Sequence, residues 1–196
     1  MPNQSITFGI VNGTADDCLT EPSPRQFQDE FGSLANDDER TKHVYAVFGL
    51  AAYWCQCLEE GLCGVLLIHA RLSGSARRLS DFEDLEEKAM RKTFGQLLSE
   101  IRQVVAFEGG ADVLLADALK VRNHLIHSFF RSNAERFISR KGQQSMVDEL
   151  CVHINCLINA NTVLDTMTHC FLKFLGIDRD MLVAAYKQLA CEEKDS

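Results

Sequence analysis

The sequence predicts an all-α fold, a four-helix up-down bundle with short accessory helices. Apolar residues recur at three- or four-residue spacing over long stretches from Asp37 onward, the period of a helix with one buried face. All three prolines (Pro2, Pro22, Pro24) fall within the first 36 residues, so none interrupts those stretches. Ser5 to Val11 has strand character, but with no second clear strand to pair with, any strand there would be marginal.

Taken in order, residues 1–36 are rich in Asn, Gly, Asp, Pro and Ser and read as a loosely ordered amino-terminal arm. A helical bundle domain follows over 37–192, with a tail at 193–196. Asp37-Asp38-Glu39 places acids in the first turn of a long first helix carrying Val44, Phe48, Ala51, Ala52, Cys55, Leu58, Leu62 and Leu66. After the polar segment Ser73–Arg78, Ser80 or Asp81 caps a second helix bearing Leu85, Met90, Phe94, Leu97, Leu98, Ile101 and Val105, which Gly109-Gly110 ends. A third helix runs from about Asp112 to Phe130. Ser132-Asn133-Ala134-Glu135 has capping-box spacing, so the chain stops and restarts there. A short helix to about Arg140 ends at Gly142, and a longer one bearing Met146, Leu150, Ile154, Leu157, Ile158, Val163, Leu164 and Met167 stops at Gly176. A last helix spans Asp178 to about Cys191.

Composition narrows the function. With 196 residues and 46% hydrophobic content the chain suits one domain with a buried core. A net charge of −8 argues against a protein that coats nucleic acid through a broad basic surface. The charge is uneven, however. Between residues 118 and 141, Lys120, Arg122, Arg131, Arg136, Arg140 and Lys141 face Glu135 alone, a local +5 that leaves −13 elsewhere. The eight cysteines contain no CxxC pair and no Cys/His spacing of a zinc site; they read as core thiols in a reducing cytoplasm, and neither a metal nor a cofactor is expected. The amino terminus lacks the pattern of a signal peptide, and Gly61–Ala70 is too short and too polar-flanked to span a bilayer, so no membrane association is expected. No glycine cluster is followed by the lysine of a phosphate loop.

Chemistry concentrates in Val121-Arg122-Asn123-His124-Leu125-Ile126-His127-Ser128-Phe129-Phe130. At about 100° per residue, Leu115, Ala118, Leu119, Leu125, Ile126 and Phe129 share one apolar stripe, with Arg122 near its middle. A guanidinium there requires a carboxylate, such as Glu59 or Glu149, or an anionic ligand. Asn123 and His127 lie one turn apart on an adjacent face and could present an amide and a titratable ring to the same anion. His124 lies about 60° around the helix from His127 and is the rival for its role. Arg122 and His127 themselves are about 140° apart, so a dimer or a distorted helix end must bring them together. His43, His69, His153 and His169 read as ordinary packed or surface rings, and Tyr45, Tyr53 and Trp54 as core or dimer contacts.

Arg122-Asn123-His124-Leu125-Ile126-His127 resembles the R-x(4–6)-H signature of the HEPN superfamily, including the polar residue after the arginine. Phe48-Gly49 with Gln56-Cys57-Leu58-Glu59, Thr93-Phe94-Gly95-Gln96-Leu97 and Phe129-Phe130 look similar to a bacterial branch of it, over roughly residues 38–176. The resemblance implies an all-α homodimer with facing motif helices and, in many members, a metal-independent endoribonuclease active in defence, stress response or a toxin–antitoxin pair. It assigns His127 of two protomers the acid and base roles, Arg122 the phosphate charge and Asn123 the orienting hydrogen bond. Arg131, Arg136, Arg140 and Lys141 are the candidates for tracking an RNA backbone. The alternative is a non-catalytic helical module that binds a nucleotide or a protein partner, such as an antitoxin or regulatory protein, and keeps the motif for dimer geometry.

Overall fold

The computed structural model describes residues 7–8, 23–107, 109–178, 180–181 and 184. In chain order the described elements are β1 (Thr7–Phe8), α1 (Pro24–Ser33), α2 (Asp37–Leu72), α3 (Leu79–Met90), α4 (Phe94–Val104), β2 (Ala106–Phe107), α5 (Ala111–His127), α6 (Phe129–Ser132), α7 (Ala134–Phe137) and α8 (Arg140–Phe174). The chain is predominantly helical, as its periodicity requires. No helix among the described residues is long and apolar enough to cross a membrane.

Two long helices organise the molecule. The Asn36 side chain accepts a hydrogen bond from Glu39 N (2.9 Å) and, with three acids in the first turn, launches the 36 residues of α2. Val44, Val47, Ala51, Cys55, Leu58, Leu62 and Val65 follow at intervals of three and four and are all buried. Ser139 caps α8 by accepting from Gly142 N (3.1 Å), and α8 buries Met146, Leu150, Ile154, Leu157, Leu164, Met167 and Phe171. α2 and α8 pack along each other more extensively than any other pair of elements. α5 lies against both through Leu115, Ala118 and Leu125, α4 packs on α2, and α1 on α8. Each leucine sealed in this way is worth about 1.5–3 kcal/mol relative to exposure, which fixes the helix faces.

Four features differ from expectation, each for a local reason. The second helix is two: α3 stops at Met90 and α4 restarts at Phe94. Thr93 caps the restart, its Oγ1 accepting from Gln96 N (3.4 Å) while Gln96 Oε1 accepts from Thr93 N (2.8 Å). α3 begins at Leu79 instead of behind a Ser80 cap; Asp81 reaches back to accept from the backbone N of Arg77 and Arg78, and those two bonds hold its carboxyl below the usual range. Within the stretch expected as an arm, residues 24–33 form α1, and Thr7–Phe8 pair in parallel with Ala106–Phe107, the second strand that the sequence did not disclose. Gly142 is not a helix stop. It lies in the first turn of α8, where a Cβ would overlap the carbonyl oxygen of Arg136, so glycine permits α7 to close onto α8. The expected helix from Asp178 to Cys191 lies largely outside the described residues, as do the tail and Cys18.

The described cysteines are free, and Cys55, Cys63 and Cys151 are buried as the core reading requires. Burial pushes the Cys55 thiol up to about 12 and the Cys151 thiol to about 11, so both stay protonated at neutral pH.

Candidate functional site

α5 carries the motif and ends on it. Gly110, with φ 84°, leads into the helix; at the other end His127 is the last helical residue and Ser128 (φ −142°, ψ −14°) breaks the run before α6. The third helix is thus three residues shorter than its apolar pattern suggested. Leu115, Ala118, Leu125 and Phe129 are buried as the stripe demands, whereas Ile126 is 46% exposed, because the break at Ser128 separates the Phe129 face from the end of α5.

Arg122 is paired within its own chain. Its Nε donates to Glu59 Oε1 on α2 at 2.9 Å, its Nη2 forms an ion-pair contact with the same oxygen at 2.8 Å, and its Nη1 donates to Asn123 Oδ1 at 3.3 Å. Glu59, and not Glu149, is therefore the carboxylate that offsets this charge. The pair is only partly sealed, with the Arg122 side chain 21% exposed and that of Glu59 35%. Asn123 and His127 are both exposed. Among the described residues the His127 ring makes no hydrogen bond; its carbonyl accepts from Arg131 Nη2 (2.8 Å). Glu59 also borders an open groove of about 710 Å³ lined by Tyr53, Trp54, Cys57, Glu60 and Asp165. Two carboxylates besides Glu59 make that groove acidic. Burial raises the Asp165 carboxyl, and the Trp54 indole N–H is sealed without a hydrogen-bond partner among the described residues.

His124, the rival of His127, faces the other way. Its Nε2 lies 3.2 Å from Glu149 Oε1 on α8, its Nδ1 lies 3.2 Å from Ser128 Oγ, and its ring meets Phe129 edge-on. His153, one turn beyond Glu149, brings Nε2 to 3.7 Å from the same oxygen. Arg136 of α7 donates to Glu149 Oε2 at 2.6 Å and to Asn133 Oδ1. Burial alone would raise the Glu149 carboxyl, but hydrogen bonds from Arg136 and His124 together outweigh it and hold the acid below its usual range. Burial pushes the His153 ring down, against the pull of the Glu149 carboxylate.

This second cluster was missed from sequence, where His153 read as an ordinary ring. A signal existed: Glu149 and His153 stand four apart on one helix, so they share a face. The basic run is equally informative. Arg136 is turned to Glu149, Arg140 donates to Gly32 O (3.1 Å), Arg131 caps the end of α5, and Lys141 is exposed. Arg131 and Arg136 thus hold the α5–α8 elbow together, and Arg140 ties α8 to α1.

Compared with protein-family models, with curated proteins and with solved structures, the chain matches none.

Proposed function

We propose that this chain is a HEPN-like domain, with α2, α4, α5 and α8 as its up-down four-helix bundle, acting as a homodimeric, metal-independent endoribonuclease in the cytoplasm. One observation carries the reading. A largely enclosed guanidinium, the exposed amide bonded to it and an exposed imidazole that makes no hydrogen bond among the described residues lie along the last turns of a single helix, Arg122, Asn123 and His127 on α5. RNA brings its own nucleophile, so a protein need only manage protons and phosphate charge. One His127 takes the proton from the 2′-hydroxyl, the oxygen attacks the adjacent phosphorus, and the His127 of a second copy protonates the departing 5′-oxygen. Arg122 offsets the charge on the non-bridging oxygens. The products are a 2′,3′-cyclic phosphate and a 5′-hydroxyl. An antitoxin or regulatory protein covering the end of α5 would hold such activity latent.

A second reading, a non-catalytic interaction module, draws on a different observation: Glu59 already occupies Arg122, and the neighbouring groove is acidic. Cleavage of single-stranded RNA in excess EDTA separates the two. The nuclease reading expects cyclic-phosphate ends and a loss of about 10²-fold or more in His127→Ala, the usual worth of a positioned acid or base. Undiminished cleavage by that variant removes His127 from the reaction, and no cleavage by the wild-type chain leaves the interaction module.

A further inference from the structure

His124, Glu149 and His153 form a constellation that the nuclease reading does not use. His124 comes from α5; Glu149 and His153 come from successive turns of α8. One donor atom from each can be chosen so that all three lie within 4.8 Å of one another. Glu149 Oε1 stands 3.2 Å from His124 Nε2 and 3.7 Å from His153 Nε2. A tetrahedral ion with bonds of about 2.0–2.1 Å places its donors about 3.3 Å apart, so the two measured edges bracket the value a zinc ion imposes.

Hydrogen-bond partners point the same way. Ser128 Oγ lies 3.1 Å from His124 O and 3.2 Å from His124 Nδ1 and steadies the ring whichever nitrogen carries the hydrogen, with His124 Nε2 aimed at Glu149 Oε1. His153 Nε2 is left unserved: it is closed off from solvent and has no hydrogen-bond partner among the described residues. Arg136 binds Glu149 Oε2, leaving Oε1 as the single free donor of that carboxylate and fixing its orientation, as outer groups do around metal ligands.

We propose that His124, Glu149 and His153 bind one divalent transition-metal ion of the zinc class through two imidazole nitrogens and one carboxylate oxygen. The donor set favours zinc or its neighbours over calcium and magnesium, which take oxygen ligands. The side chains are 33%, 27% and 18% exposed, so the cluster lies at the edge of the core and not deep within it. The ion ties α5 to α8 through a residue of the same helix that carries Arg122 and His127. The inference is independent of the nuclease reading, since neither Arg122 nor His127 supplies a ligand.

The test is calorimetric titration of the chelator-stripped full chain with zinc chloride alone, with cobalt(II) as a spectroscopic stand-in. The expected result is one ion per chain, a visible cobalt spectrum of a four- or five-coordinate nitrogen/oxygen site without thiolate charge transfer, and a melting temperature about 5–10 °C higher at a hundredfold excess over Kd. His153→Gln and Glu149→Gln should each weaken binding by about tenfold or more, and His169→Gln, remote from the cluster, should not. No saturable zinc binding to the wild-type chain overturns the proposal, whatever the variants do. So does a thiolate-type cobalt spectrum, or binding that His153→Gln leaves unchanged. Because the readout is metal binding, it stands or falls separately from RNA cleavage.

Discussion

Removing the carboxylate that holds Arg122 tests the electrostatics of the motif directly. In Glu59→Gln the carboxylate that accepts from Nε and pairs with Nη2 loses its charge, while the Arg122 side chain stays largely enclosed at 21% exposure. Fully exposed pairs are worth about 0.2–1 kcal/mol, and breaking a buried pair costs about 3–5 kcal/mol. A pair enclosed to this degree, with one partner a third exposed, falls between, at about 1–2 kcal/mol. For a chain of this size that lowers the melting temperature by about 2–8 °C. The assay is a double-mutant cycle by urea denaturation over Glu59→Gln, Arg122→Met and the pair, repeated in 0.5 M salt. The single variants should destabilise, the double should recover part of the loss, and a coupling of about 1 kcal/mol should shrink only modestly with salt, because partly buried charges are poorly screened. Strict additivity would refute the reasoning and mean that the two side chains do not hold each other in solution.

Two further outcomes follow from packing and burial. Gly142→Ala forces a methyl against the Arg136 carbonyl and should cost about 1–3 kcal/mol, read as a lower melting temperature; an unchanged value would mean that α7 does not close onto α8 there. Burial holds the His69 ring below the ordinary 6.5, so the unfolded chain takes up a proton before the folded one does. The stability from its neutral form is complete above 6.5 and is lost as pH falls toward the depressed folded value; His69→Gln should flatten the dependence of unfolding free energy on pH between pH 7 and 5.5, and an unaltered slope would count against a half-buried His69.

How far the sequence could be read depends on whether a signal is local. The faces of α2 and α8 were legible because burial repeats with the helical period, as with Val44, Ala51, Cys55 and Leu58. The position of His127 at a helix end was legible too, through the restart signal after it. The split between α3 and α4 was encoded at Thr93 and Gln96 but hidden by apolar residues that continue on both sides. Gly142 misled because a glycine that allows close backbone approach looks identical to one that ends a helix. The choice of Glu59 for Arg122, and the meeting of His124 with Glu149 and His153, depend on which helices become neighbours, and one-dimensional spacing carries little of that.

The acid that steadies Arg122 also acts as a resident competitor for anything that would grip it. Because Glu59 is tethered, its local concentration exceeds that of most free anions, so a singly charged visitor would seldom displace it. A polyanion held at several points faces a smaller handicap, since its remaining contacts keep it in place while the carboxylate swings aside. Under the proposed nuclease function the arrangement would therefore filter by valency, favouring chains of phosphates over isolated carboxylates or chloride.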